Sequence, residues 1–433
     1  MRRSTALFFF LALVLGCGPG RMVRRGKVNE DAVAQVRRTL PDIRGLPFRA
    51  PVPALAMPPA DIRATLAREI DQSYSPADLE HLETVYRHLG FLTADQGLRP
   101  ALERIYEEEA GGFYDPRQKR LVLASRALHS VGFLGLLSSI AGRDLVGEFL
   151  LSHELTHALQ DQHWGLPVTP DPMLDGHGDR LLARHALLEG DATLAGFAYV
   201  LGGTPDRDTI AWIERRLHTL PGDLAARYPD TPDIIRTTLA FQYDEGTAFA
   251  GWALAAGGWP AVNAVEADPP DSTEQVLHPA RYFATRERPR AIRLGGTEPL
   301  EAAGWVPTLE DTLGELQLRV LARHALPAER AASVADGWAG DRLRALGRGD
   351  ALLLVWMTAW DSPDEAREFA AAMPSIAAAA RVERREDRVL VLTSSENLDL
   401  DALAARVWGA TDAGSAPADT LREPPHHARH DVP

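Results

Sequence analysis

Leu151 to Gly165 reads LSHELTHALQDQHWG. It carries His153, His157 and His163, and which of them share a metal ion decides how the chain around them must fold. His153-Glu154-Leu155-Thr156-His157 is an H-E-x-x-H run. On an α-helix a step of four residues is one turn plus about 40°, so the two imidazoles project from one side. That spacing suits two ligands of a single Zn²⁺. Glu154 lies beside them, placed to take a proton from water and pass it to a leaving amine. Leu150, Leu151, Leu155, Ala158 and Leu159 make the flanks apolar, so the helix is expected to be buried. Burying His-Glu-His without a use for them would be costly.

Two residues compete to be the third ligand. His163 stands where the pattern H-E-x-x-H-x-x-G-x-x-H of metzincins would put it, but that pattern needs a glycine to turn the chain, and Gln160 occupies the place. If the helix runs on, His163 lies about 9 Å beyond His157 along the axis. Gly165 is the better stop signal, which leaves His163 as a helix-end or outer-shell residue. The rival is Glu189, in ARHALLEGDATLAGFAYV from Ala183 to Val200. A glutamate in an otherwise apolar, small-residue helix needs a partner, and a mid-helix glycine such as Gly190 costs about 1 kcal/mol relative to alanine. Both make sense if this helix packs closely on the His153 helix and presents Glu189 to the ion.

The strings GGFYDPRQKRLVL, SHELTHALQDQHWG, ALLEGDAT and STEQVLHPARYF together resemble a family of uncharacterised bacterial and archaeal metallopeptidases, within the gluzincin branch of zinc peptidases and close to its core-only minigluzincin form. The resemblance covers residues 100 to 285. It implies His153, His157 and Glu189 as ligands of one zinc per chain, Glu154 as general base and acid, and a peptide or protein as substrate. Many larger gluzincins carry an Asn before the glutamate, where this chain has Leu188.

Peptide hydrolysis also needs a donor for the developing oxyanion. Tyr243 in FQYDEGTAF, His278 in STEQVLHP, Tyr114 in the hairpin and His185 one turn before Glu189 are the candidates. His185 and Asp191 are also placed to act behind the ligands, Asp191 by orienting an imidazole. The strand Arg120 to Ala124 is expected to offer an edge for an extended peptide. Asp244-Glu245 is expected on a solvated helix face, and Trp338, Trp356 and Trp360 in a core.

The chain starts MRRSTALFFFLALVLGCGPG: two arginines, ten apolar residues, then Gly16-Cys17. Ten residues span about 15 Å as a helix, too little for a bilayer, so residues 1–16 read as an export signal and Cys17 as the lipidated first residue of a lipoprotein anchored to the cell envelope. Cys17 is the single cysteine, which excludes an intramolecular disulfide. A formal charge of −14 argues against nucleic acid as a partner.

Residues 17–58 read as a basic tether and extended segment, 59–286 as a helical scaffold with the catalytic unit, and 287–307 as a proline-rich linker. Residues 308–411 read as a small α+β accessory domain, and 412–433 as a disordered tail. The expected class is α+β: a mostly helical zincin-like unit with a short hairpin, followed by the α+β domain. The alternative function is an inactive zincin-fold lipoprotein that serves as a binding or structural module.

Overall fold

The computed structural model describes residues 22–412 except 25, 74, 110, 126–143, 167–175 and 377–379. The export signal, Cys17 and the tail beyond residue 412 lie outside the described residues.

A two-residue hairpin, β1 (Val23–Arg24) and β2 (Lys27–Val28), leads into α1 (Glu30–Arg44). The expected tether is therefore a folded helix. Val33, Val36, Leu40 and Arg44 recur at three- and four-residue steps and are all buried. Abundant charge on the other faces hid that stripe in the sequence. Next come β3 (Ala54–Met57), α2 (Pro59–Ser73), α3 (Pro76–Leu89), α4 (Leu98–Glu109), β4 (Gly112–Asp115) and β5 (Arg120–Ala124). The hairpin of β4 and β5 is as expected, but β3 adds in parallel to its far side and gives the sheet order β3-β5-β4. Arg120 to Ala124 is thus the central strand, with no edge to offer. Among the described residues β4 is the outer strand of the antiparallel pair, and all four of its residues are buried.

Among the described residues seven helices complete the first half: α5 (Leu145–Trp164), α6 (Gly178–Leu201), α7 (Arg207–Leu217), α8 (Leu220–Arg227), α9 (Asp233–Ala267) and the short pair α10 (Thr273–Leu277) and α11 (Pro279–Phe283). α5 carries H-E-x-x-H, is buried from Leu145 to Gln160, and ends at Gly165, whose N–H donates to the Asp161 carbonyl. α6 crosses α9 with almost no space between backbones. A Cβ on Gly190 would lie 2.0 Å from the Gly246 carbonyl oxygen, and a Cβ on Gly246 would lie 2.1 Å from that of Ala186. The glycine beside Glu189 therefore serves the crossing with α9, and not, as expected, contact with α5.

The second half runs α12 (Glu298–Ala302), β6 (Val306–Asp311), α13 (Gly314–Arg323), α14 (Ala328–Ala335), β7 (Trp338–Arg348), β8 (Ala351–Trp360), α15 (Pro363–Ile376), β9 (Arg381–Arg385), β10 (Arg388–Ser394) and α16 (Leu400–Asp412). Its sheet is antiparallel in the order β6-β7-β8-β10-β9. The hairpins at Gly349-Asp350 and Glu386-Asp387 fall as the sequence indicates, and the molecule is α+β. Trp338, Trp356 and Trp360 are in the core. That core is shared with α3, through Leu82, Val85 and Tyr86, so the helical scaffold does not belong to the first half alone. The 287–307 segment is no free linker either: Leu294 and Trp305 are buried against Leu353, Leu390 and Trp408.

The two halves are pinned at the start of α6. Asp311 Oδ1 accepts the Gly178 N–H at 2.8 Å, placing an anion at the helix N-terminus, and Asp179 accepts the backbone N–H of Thr273 at 3.1 Å.

Replacing Gly190 by alanine should force the α6–α9 crossing apart and lower stability by about 1–3 kcal/mol, the usual range for overpacking. Gly203→Ala, where a Cβ meets nothing within 4 Å, should stay within about 0.5 kcal/mol of wild type. Urea unfolding of the two variants checks this, and equal midpoints would contradict it.

Candidate metal centre

α5 and α6 lie side by side, and their buried faces carry the polar residues. His153 Nε2 is 3.1 Å from His157 Nε2 and 3.1 Å from Glu189 Oε2, and His157 Nε2 is 3.7 Å from the same oxygen. A zinc ion with four tetrahedral ligands at about 2.0–2.1 Å keeps neighbouring ligand atoms about 3.3 Å apart, and the three separations bracket that value. All three side chains are buried. His153 and His157 meet nearly edge to face, with ring centroids 4.8 Å apart and planes at 85°.

The protonation states suit a cation. Burial alone would raise the Glu189 carboxyl, but the neighbouring His157 and His153 imidazoles outweigh it and hold the group down at about 2. Burial lowers the His153 imidazole below its ordinary value. A neutral imidazole and an ionised carboxylate are the forms that bind a metal.

Glu154 is fully buried next to the ligands. Its Oε2 accepts the backbone N–H of Tyr114 at 2.8 Å. Tyr114 lies on β4, so the sheet edge directs a backbone donor at this carboxylate. The Tyr114 hydroxyl is engaged elsewhere, donating to Asp161 Oδ2 at 2.7 Å, and is no candidate for the oxyanion. Tyr243, on α9, does reach the centre: its ring stacks on His153 with centroids 6.2 Å apart and planes at 24°.

His278 does not join them. Its Nε2 lies 3.1 Å from Glu315 Oε1, 3.2 Å from Arg319 Nη2 and 3.6 Å from Asp336 Oδ1. The residues just before it dock on Asp179 through Thr273, and Asp179 is about 15 Å along α6 from Glu189. The guanidinium of Arg319 balances that second cluster internally. His163 also points away: α5 continues past it, and its Nε2 meets the Pro47 carbonyl at 2.9 Å. Asp244 is buried and accepts from His218 Nδ1 at 2.7 Å, so it is not on a solvated face.

His185 is buried behind the ligands, and burial pushes its imidazole down to about 3. Asp191 is fully buried as well, but it acts one residue removed from the imidazoles. His157 Nδ1 faces Gln160 Oε1 at 2.8 Å, and Gln160 Nε2 in turn donates to Asp191 Oδ2 at 2.9 Å. Behind Asp191 stands Arg44 of α1, fully buried, with Nε 2.7 Å from Oδ1 and Nη2 2.9 Å from Oδ2. Sequence reasoning missed both Gln160 and Arg44. The signal for Gln160 was present, since it sits one turn after His157 on a helix whose preceding residues, Ala158 and Leu159, are apolar; nothing local marked Arg44.

Residues 306–412 match the model of a domain of unknown function, DUF8575, which covers the five-stranded sheet and its helices but none of the residues of the metal centre. No curated protein and no solved structure matches the chain.

The unfolded chain protonates His185 near its ordinary 6.5, whereas the folded protein does so near 3, so the unfolded state holds more protons between those values. The stability contribution is complete above about pH 6.5 and is lost as pH falls, at up to about 1.4 kcal/mol per pH unit. Denaturant titrations of the metal-free protein between pH 4 and 7 should show a shallower pH slope for His185→Gln than for wild type. Parallel slopes would refute the assignment.

Proposed function

We propose that the protein is a zinc-dependent peptidase of zincin type. His153, His157 and Glu189 hold one zinc per chain, and Glu154 is the general base and acid. The observation that carries this reading is the convergence of three buried ligand atoms from α5 and α6, with a separately held carboxylate, Glu154, beside them on the helix that bears the two histidines. Zinc at that point would supply a Lewis acid that acidifies water and polarises a peptide carbonyl. Glu154, oriented by the Tyr114 N–H, takes the proton of the attacking water and returns it to the leaving nitrogen. Tyr243 walls the site on the His153 side and is the remaining candidate to donate to the oxyanion. β4, the outer strand of the hairpin and buried as the site stands, is the strand along which an extended peptide would lie once the site opens.

The residues before Met22 fit an exported protein held to the cell envelope by lipid on Cys17, and that placement is part of the proposal.

One observation favours a second reading. Glu154 and the three ligand residues are each no more than 1% exposed, which suits a structural zinc site in a protein without turnover as well as an enzyme that opens.

Elemental analysis should find one zinc per chain in wild type and His163→Ala, and none in Glu189→Ala or His157→Ala. Glu154→Gln should keep its zinc and lose about 10²–10⁴-fold in peptide hydrolysis. Retained zinc with no wild-type hydrolysis of any peptide would move the protein to the structural reading, and zinc retained in Glu189→Ala would break the ligand assignment.

A further inference from the structure

The two imidazoles of the metal centre are held in different ways. His153 Nδ1 has no hydrogen-bond partner among the described residues, and its ring is kept in place by Phe149 and Tyr243, at 6.0 and 6.2 Å between centroids. His157 Nδ1 has a partner, Gln160 Oε1 at 2.8 Å. An amide of this kind gives a lone pair from one end and two N–H groups from the other, so which end faces His157 determines the tautomer of the ring.

The surroundings of Gln160 permit one orientation. Its nitrogen is within 3.0 Å of the Leu188 carbonyl oxygen, 2.9 Å of Asp191 Oδ2 and 3.2 Å of Glu266 Oε1. Turning the amide over would set its oxygen against the Leu188 carbonyl and the Asp191 carboxylate, in a pocket that is fully buried. Asp191 has no freedom to rotate away, because both its oxygens are clamped by the Arg44 guanidinium. That guanidinium also donates to Asn263 Oδ1 at 2.7 Å and lies over the Trp259 ring at 4.6 Å. With the amide fixed, its oxygen accepts the Nδ1–H of His157, and Nε2 is left with its lone pair directed toward Glu189 and His153.

We propose that Gln160 is a positioning residue of the metal centre: clamped end-for-end by Leu188 and by the Arg44–Asp191 ion pair, it imposes on His157 the one neutral tautomer that can bind a metal through Nε2. The N-terminal helix, through Arg44, is thereby a working part of the site. The role in metal binding rests on the zinc reading given above, whereas the tautomer lock does not need a metal.

The test uses the full chain labelled with ¹⁵N-histidine and stripped of metal. His157 is assigned by its loss in a His157→Ala sample. Wild type should show His157 with a protonated Nδ1 and an unprotonated Nε2. Gln160→Leu should convert His157 to a mixture or to the other tautomer and leave His153 unchanged. Gln160→Glu, buried against the Leu188 carbonyl and the Asp191 carboxylate and therefore protonated, turns its O–H to them and its carbonyl oxygen to Nδ1–H, so it should keep the wild-type pattern and provides a reading should the leucine variant not fold. Arg44→Met should reproduce the leucine pattern in part, as the amide is freed to turn. Zinc competition against a chromophoric chelator should then give about 10- to 100-fold weaker binding for Gln160→Leu and near wild-type binding for Gln160→Glu. Identical His157 signals in wild type and Gln160→Leu, or equal losses of affinity in the leucine and glutamate variants, would overturn the lock. A locked tautomer in a wild type that takes up no zinc would sink the zinc reading and leave the lock standing.

Discussion

A carboxylate and two imidazoles removed from water must find partners, and here they find one another. His153, His157 and Glu189 are buried within 3.1 to 3.7 Å of each other. An unpaired buried charge is far more expensive than an exposed one, so this convergence constrains everything around it. α5 and α6 have to lie in one register. α6 has to be held from behind, and α9 does so by a glycine crossing that brings backbone against backbone and sets Tyr243 beside His153. The sheet has to end near Glu154, because that carboxylate takes a backbone N–H from β4.

The supports come from distant parts of the chain. Arg44 reaches the centre from the N-terminal helix, 147 residues before its partner Asp191. From the other direction, Asp311 of the five-stranded half accepts the first N–H of α6, the helix that carries Glu189. The part of the chain that matches a domain of unknown function thus holds none of these three residues, yet it fixes one end of the helix that presents one of them. Because α3 also enters the core of that half, the molecule has no clean seam between a catalytic unit and an accessory domain.

The elements themselves were largely legible. α5, α6 and the hairpins of the second half follow from hydrophobic period and turn residues, and Gly165 marks the end of α5. His153, Glu154, His157 and Glu189 could be read because they are polar residues on helices with apolar surroundings, where each demands an explanation. The misreadings share a cause. α1 reads as a tether in the sequence because its apolar stripe is narrow among charges. β5 reads as an edge in the sequence because strand pairing with β3, more than 60 residues earlier, leaves no local trace. His278 was drawn to the site by its place in a motif, while its actual partners lie on α13.

The sequence alone determined which polar side chains share a helix face and which helices bear them, because spacing along a helix converts directly into angle around it. Tertiary structure alone decided what stands behind those side chains. Whether Gln160 turns its oxygen to His157, whether Arg44 is in the tether or in the core, and which strand edge meets Glu154 depend on contacts between residues far apart in the chain. Side-chain type and spacing carry no record of those distances, and only the packed molecule sets them.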